Sequence, residues 1–404
     1  MHKTRKFFKQ RKTVLTLLCF LSLFLLTGCW DRTEVNDLAI ITAAGIDQSS
    51  DDTLELTVAV FAPKSASSSQ QSSMGGEVGP NSGQQEVVRS AEGVTIADAM
   101  SKLQQKFPRR LFWGHANAII LGEELAKKDI RSQIDFILRY PEVRENAHIF
   151  ISKQPAKEVL ALNPPLERDI SKVLLELSKL KIGMDVTAKD LSEMLLKDSG
   201  AAAIPYIEIL PPEGGSSDNQ TIADITGSAV FKNDKMIGKI NTKVSRGILW
   251  LRNEVKLAVV SIKPPKTEGY ISLQLLRVHS QLIPKIENGR WKMTLKAVTQ
   301  DDISQNETTL DTTDPKNIKM LEHLLSREIT KRIRAAVDQS QKMNADILNF
   351  AGAFHRRYPA IWERNVSQWD EIFPQVDVKI IVDANIKRPG TTTIPSKMNR
   401  EVGR

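Results

Sequence analysis

The residue with the clearest chemical signature is Cys29, which closes the run Leu26-Thr27-Gly28-Cys29. An aliphatic residue, two small residues and a cysteine make a lipobox. The thiol accepts a diacylglyceryl group, and the small Thr27 and Gly28 leave the bond before Cys29 open to a peptidase. The preceding residues fit that chemistry. Lys3, Arg5, Lys6, Lys9, Arg11 and Lys12 form a basic start, and Val14 to Leu26 is apolar apart from Thr16 and Ser22. As a helix this run reaches only ~20 Å, short of the ~30 Å hydrocarbon core of a bilayer. Residues 1–28 therefore read as a cleaved signal peptide, and Cys29 as a lipidated N-terminus. Two buried acyl chains hold a protein stably where one holds it marginally.

No other set of residues shows comparable chemistry. Once Cys19 is lost with the leader, Cys29 has no partner in the chain, so neither a disulfide nor a cysteine metal site is expected. The histidines are His2, His115, His148, His279, His323 and His355, none at helical ligand spacing from another. His115 and His148 read as hydrogen-bonded residues of apolar strands. Asp51-Asp52 and Asp301-Asp302 read as turn residues, since neighbours on a strand point to opposite faces and clamp a metal poorly. Arg109-Arg110 and Arg356-Arg357 read as solvated pairs able to touch anionic head groups. There is no GxSxG elbow, P-loop, GxGxxG, HExxH or EF-hand loop. The expectation is a protein that is not an enzyme, with no catalytic, cofactor or metal site.

Charge narrows the partners. Of 56 basic side chains six lie within residues 1–12, leaving 50 against 48 acidic ones. The body is near neutral, which argues against nucleic acid.

The elements follow from periodicity and punctuation. Leu38 to Gly45 and Leu54 to Phe61 read as strands. Lys64 to Gln85, rich in Ser, Gln and Gly, reads as a mobile loop, and Glu86 to Glu92 resumes as a strand. Thr95 opens a helix with Ile96, Ala99, Met100 and Leu103 at helical spacing. Leu111 to Gly122 reads as one buried strand, Ile130 to Tyr140 as a helix, and Ala147 to Ser152 as a strand. Helices are expected across Leu166–Leu180 and Thr187–Lys197. Pro211 to Asn219 carries the strongest linker signal. Beyond it come a hairpin around Lys232–Lys235, a helix over Thr242–Leu251 and strands over 256–262, 270–276, 281–286 and 291–299. Asp314 and Pro315 open a long helix with an apolar stripe of Ile318, Leu321, Leu325, Ile329, Ile333 and Val337. A last strand alternates from Val376 to Ile386.

The expected fold class is α+β and multidomain, with mixed and antiparallel sheets each packed with helices. Residues 29–200 would form an N-terminal α/β domain carrying the loop 64–85. Residues 201–225 would form a linker region, 226–262 a small middle domain, 263–390 a C-terminal α+β domain and 391–404 a tail.

Four stretches resemble one family. They are Gly28-Cys-Trp-Asp-Arg-Thr-Glu-Val-Asn-Asp-Leu-Ala-Ile40 running to Gly45-Ile-Asp47; Leu111-Phe-Trp-Gly-His115 with Ile119-Ile-Leu-Gly-Glu-Glu-Leu125; Gly227-Ser-Ala-Val-Phe231 with Arg246-Gly-Ile-Leu-Trp250; and Phe354-His-Arg-Arg-Tyr-Pro359 with Trp362 and Trp369. In order and over the mature chain they resemble the Ger(x)C family, the C subunits of the nutrient germinant receptors of endospore-forming bacteria. His355 stands where the family pattern has arginine. The resemblance implies a lipoprotein on the outer face of the spore inner membrane, beside two integral-membrane subunits, without catalysis. Only Cys29 carries a role over residue by residue. A solute-binding lipoprotein and a membrane-tethered cell-wall hydrolase are the alternatives of other classes.

A protein without a catalytic site works through contacts. The stretch Phe354 to Trp369 is dense in aromatic residues and arginines, the side chains that most often dominate interfaces. Arg356, Arg357 and Arg364 are the candidate partner contacts. The competing expectation is that Trp362 and Trp369 pack a helix onto the sheet.

Overall fold

The structure is a computed structural model that describes residues 34–63, 84–212, 220–256 and 258–388. The signal peptide, Cys29 and the tail 391–404 lie outside the described residues, as does the expected loop 64–85 apart from Gln84 and Gln85.

Two sheets organise the chain. The first holds β1 (Leu38–Ser50), β2 (Thr53–Pro63), β3 (Gln84–Gly93), β4 (Arg110–Phe112), β5 (Ala118–Gly122), β6 (His148–Ser152), β7 (Ala201–Ile209), β8 (Ala223–Lys232) and β9 (Lys235–Asn241). Its order is β3-β2-β1-β5-β6-β7-β8-β9, with β4 also on β1. The centre from β1 to β7 is parallel, and the two wings are antiparallel. Both faces are covered, so alternate residues feed two cores. Ala43, Ala59, Ala118, Ile120 and Phe150 meet α4 (Ala156–Leu160) and α5 (Ile170–Leu180). Ala44, Ile46, Val58, Ile119, Leu121 and Ile149 turn to the opposite core, with α1 (Ile96–Gln104), α3 (Arg131–Arg139) and α6 (Ala188–Leu195). The short α2 (Glu123–Ala126) follows β5 directly.

The second sheet runs β10 (Val259–Ile262), β11 (Ile271–Glu287), β12 (Arg290–Asn306) and β13 (Asp377–Arg388) in that order. Only the β12–β13 pair is parallel. The helix α8 (Pro315–Lys342) lies across it, burying Leu321, Leu325, Ile329 and Ile333, and Asp314 caps it through Lys316 N at 2.9 Å. It also closes the open edge of β13. Arg334 donates to the Val378 carbonyl, while Ser326 and Glu322 accept from the backbone of Ala384 and Ile386. An edge strand otherwise invites pairing with another chain.

Between the sheets sits α7 (Thr242–Arg252). Ser245 meets Ser228 of β8 at 2.9 Å, and Ile248, Leu249 and Trp250 join the main core. Five small helical pieces follow α8: α9 (Phe350–Arg357), α10 (Pro359–Asn365), α11 (Trp369–Ile372) and single 3-10 turns at Val366–Gln368 and Phe373–Gln375.

The α+β class with two helix-packed mixed sheets is as expected, while several boundaries differ. The expected linker 201–225 begins with β7, whose residues Ala201 to Ile207 are buried. Residues 213–219 of the expected linker stretch lie outside the described residues, while β7 and β8 on either side of it pair antiparallel in one sheet. The expected middle domain 226–262 is distributed: β8 and β9 complete the first sheet, α7 bridges and β10 opens the second. The single strand over 111–122 is two strands on β1, parted where Ala116 N turns back to the Trp113 carbonyl and Asn117 N bonds Thr42. The strands 270–276 and 281–286 are one strand that absorbs a bulge near Leu275–Arg277.

Candidate functional site

The aromatic-rich segment 354–369 is mostly core. Phe354, Trp362 and Trp369 are buried. Trp291 of β12 stands 4.7 Å from Phe354, 6.3 Å from Trp362 and 5.9 Å from Trp369, edge to face. Such pairs add about 0.5–1.5 kcal/mol each beyond their burial. The two tryptophans thus pack onto the sheet, from α10 and α11 rather than from one helix. Arg356, Arg357 and Arg364 are exposed, and none pairs with an acid among the described residues. Arg356 and Arg357 lie in the last turn of α9 and Arg364 in that of α10, where cations complement the helix dipole.

Three side chains, from beyond α6, from β8 and from α7, hold these helices and the turn before them. Asp198, just beyond α6, accepts from Trp362 Nε1 at 2.8 Å, and its same oxygen lies 3.1 Å from His355 Nδ1. His355 stacks on Trp362, centroids 6.0 Å apart. Lys232 at the end of β8 donates to the Asn344 carbonyl at 2.7 Å and pairs with Asp370. Arg252 at the end of α7 donates to the Ile347 carbonyl at 3.1 Å. Beside Asp198 a cleft of about 560 Å³ opens, lined by Lys197, Asp198, Asn349, Gly352, His355 and Arg356 among others.

Several other titratable groups hold elements together. Asp47 accepts the N–H groups of Ala156 (2.8 Å) and Lys157 (3.2 Å), capping α4 from β1. Burial raises its pKa against those two bonds. Asp346 does the same for α9 through Phe350 N (2.9 Å) and Ala351 N (2.7 Å), and burial pushes it up to about 7. Burial also pushes Glu86 up to about 7, opposed by the Thr42 hydroxyl that donates to it. Asp301 is not a turn residue: it sits in β12, fully buried beneath the sheet's helix-facing side, held by the Thr299 hydroxyl at 2.6 Å and raised by burial to about 6. His148 stands 2.9 Å from Asp185. His115 is exposed in the turn between β4 and β5 rather than held in a strand. Among the described residues no group of three or more His, Cys, Asp or Glu could hold a metal ion, and no helix is long and apolar enough to cross a membrane.

Asp198, Lys232 and Arg252 were invisible to sequence reasoning. Their partners lie from 95 to 164 residues away, and no local pattern marks a polar residue that reaches across a domain joint. The motif residues, by contrast, acquire functions in the architecture. Gly45 lets α4 approach, since a Cβ there would lie 2.7 Å from Ala156 Cβ. At Gly227 a Cβ would lie 2.0 Å from the Ile240 carbonyl oxygen.

Residues 31–209 match the model of the spore germination protein N-terminal domain, and residues 226–390 match that of the spore germination B3/GerAC-like C-terminal region. The border between the two matches falls in the β7–β8 connection, inside one continuous sheet. The chain is similar to spore germination protein KC of Bacillus subtilis (strain 168), 29% identical over 96% of this chain and 98% of that one. It is 21% identical to spore germination protein B3 of the same organism, over 92% and 96%, and 23% identical to spore germination protein GerQC of Bacillus cereus, over 93% and 98%. The crystal structure of the GerBC protein shares the fold, with a TM-score of 0.52 at 17% identity over 85% of this chain and 96% of that one. With both halves matched in order and relatives aligned nearly end to end, the chain belongs to the Ger(x)C family, the C subunits of spore germinant receptors.

Proposed function

We propose that this chain is a lipid-anchored, non-catalytic subunit needed for nutrient-triggered spore germination. A diacylglyceryl group on Cys29 would hold it on the outer face of the spore inner membrane, beside two integral-membrane subunits. The observation that carries the reading is the Leu26-Thr-Gly-Cys29 box directly ahead of the matched N-terminal region. Anchoring raises the local concentration of the folded part near membrane partners, so weak contacts suffice. Feeding cells a radioactive fatty acid tests the anchor: wild type should take up label and Cys29→Ala should not, whereas equal labelling would remove it.

Arg356, Arg357 and Arg364 are the proposed contacts with a membrane subunit. All three are exposed cations near a rigid aromatic core, which holds their helices in place. Reversing all three to Glu should block germination while the protein still accumulates in spores. Normal germination of that variant would take this surface out of the interface.

A further inference from the structure

The cleft beside Asp198 lies where the first sheet's domain meets the C-terminal helices, and both contribute to its wall. Lys197 and Asp198 come from the segment between α6 and β7, and Asn349, Gly352, His355 and Arg356 from α9 and the residue before it. Its volume of about 560 Å³ is in the range of small-ligand sites. Asp198 is the sole carboxylate in the lining, and its Oδ2 is already engaged by Trp362 and His355. Lys197 and Arg356 have no acidic partner among the described residues. The concave wall therefore carries two cations that the protein does not neutralise, and a concave wall concentrates their field.

Gly352 contributes to that arrangement. A Cβ at 352 would lie 2.5 Å from Asn349 Oδ1 and 3.2 Å from Arg356 Nη1. The guanidinium thus folds back along α9 over the bare glycine, and a Cβ there would crowd it slightly. A planar guanidinium matches the two oxygens of a carboxylate or phosphate, and an ammonium adds a point charge from the other side.

We propose that this cleft binds a small anion bearing a carboxylate or phosphate group, held between Lys197 of one unit and Arg356 of the other. Each cation belongs to a different side of the joint. A bound anion is fully coordinated only when the C-terminal helices are docked, so binding favours that arrangement by its differential affinity. The cleft shares Arg356 with the proposed membrane-subunit contacts, and anion binding by the chain without those subunits tests the cleft separately.

The full-length chain is titrated with inorganic phosphate and, separately, with acetate, with ionic strength held constant by sodium chloride. Calorimetry reads binding, and tryptophan fluorescence reads the cleft, because Trp362 donates to Asp198 on its wall. Saturable binding of either anion in roughly the millimolar range is expected, and which anion binds identifies the group. Lys197→Gln or Arg356→Gln should weaken it at least fivefold and the pair together abolish it, while Arg364→Gln, outside the lining, should leave it unchanged. Gly352→Leu, which keeps both cations but fills the cleft, should also abolish it, with a thermal melt reporting that each variant is folded. No saturable binding by wild type, or equal binding by folded Lys197→Gln/Arg356→Gln, overturns the proposal.

Discussion

Replacing Gly247 by alanine separates helix propensity from helix packing. Gly247 lies inside α7, and a Cβ there would meet the Arg332 carbonyl oxygen of α8 at 2.5 Å and Ala336 Cβ at 2.8 Å. Intrinsic propensity favours alanine over glycine by about 1 kcal/mol in a helix interior. The clash opposes it. Carbon–oxygen contacts relax only beyond about 3.3 Å, so α7 and α8 must part by about 0.8 Å. A gap of that order forfeits a quarter to a half of each facing dispersion contact, and overpacking a tight joint costs about 1–3 kcal/mol. The nearest atom is backbone and cannot swing aside, so the upper part of that range applies. The net expectation is a loss of about 1–2 kcal/mol, which lowers a urea midpoint by about 0.5–1 M at the slope typical of a domain. Gly352→Ala is the control, because the nearest atom there is the Asn349 side chain, which can move. A Gly247→Ala variant more stable than wild type by the propensity term would refute the close approach of α7 to α8 and with it the joint between the sheets.

Further substitutions test two carboxylates, the buried Asp47 and the half-buried Glu86. Asp47→Ala should lower stability by about 1–3 kcal/mol, because it leaves two N–H groups at the start of α4 without acceptors; Asp47→Asn should cost less, and a urea midpoint equal to wild type for Asp47→Ala would sink the capping role. Glu86 makes a pH prediction: its carboxyl is raised from 4.5 to about 7 in the folded protein, so between those values the native state holds more protons than the unfolded chain and this group's contribution falls as pH rises. Glu86→Gln should therefore gain on wild type by about 1–3 kcal/mol between pH 4.5 and pH 7.5, and a difference that stays constant across that window would contradict the partly buried placement of Glu86.

Elements with local signatures were legible in the sequence. Thr95, Thr187 and Asp314 cap the helices they were expected to open, since a capping side chain acts within three residues. The alternation from Val376 to Ile386 became β13, because one face packs on α8 and the other does not. The misread parts depend on distant chain. Pro211 to Asn219 carries the same turn residues whether it joins domains or strands of one sheet, and only the burial of β7 decides. Asp301 looks like a turn residue until β11, β13 and α8 close around it. His115 looked buried because its neighbours are apolar, yet the turn between β4 and β5 puts it in solvent. In the candidate site, the arginines were found from composition. Asp198, which ties Trp362 to the first domain, could not be, because the contact spans 164 residues.

Eight of the residues that carry the family resemblance share a trait that bears on function. Gly45 and Asp47 seat α4 on β1, Gly227 admits β9, and Gly247 and Trp250 set α7 between the sheets. Phe354, Trp362 and Trp369 fix the C-terminal helices on β12. All of these sit at joints, where one element must approach another closely. A motif set of this kind specifies how two sheets and a helical cap are held in one geometry. On the readings proposed above, recognition falls to side chains that the joints hold in place but do not consume: Arg357 and Arg364, exposed in the last turns of α9 and α10, and Arg356 with Lys197 at the cleft. A change at a joint should lower the amount of folded protein, whereas a change at these cations should leave the fold and remove the contact. Scoring the two classes of substitution for protein level and for germination in the same spores separates architecture from recognition.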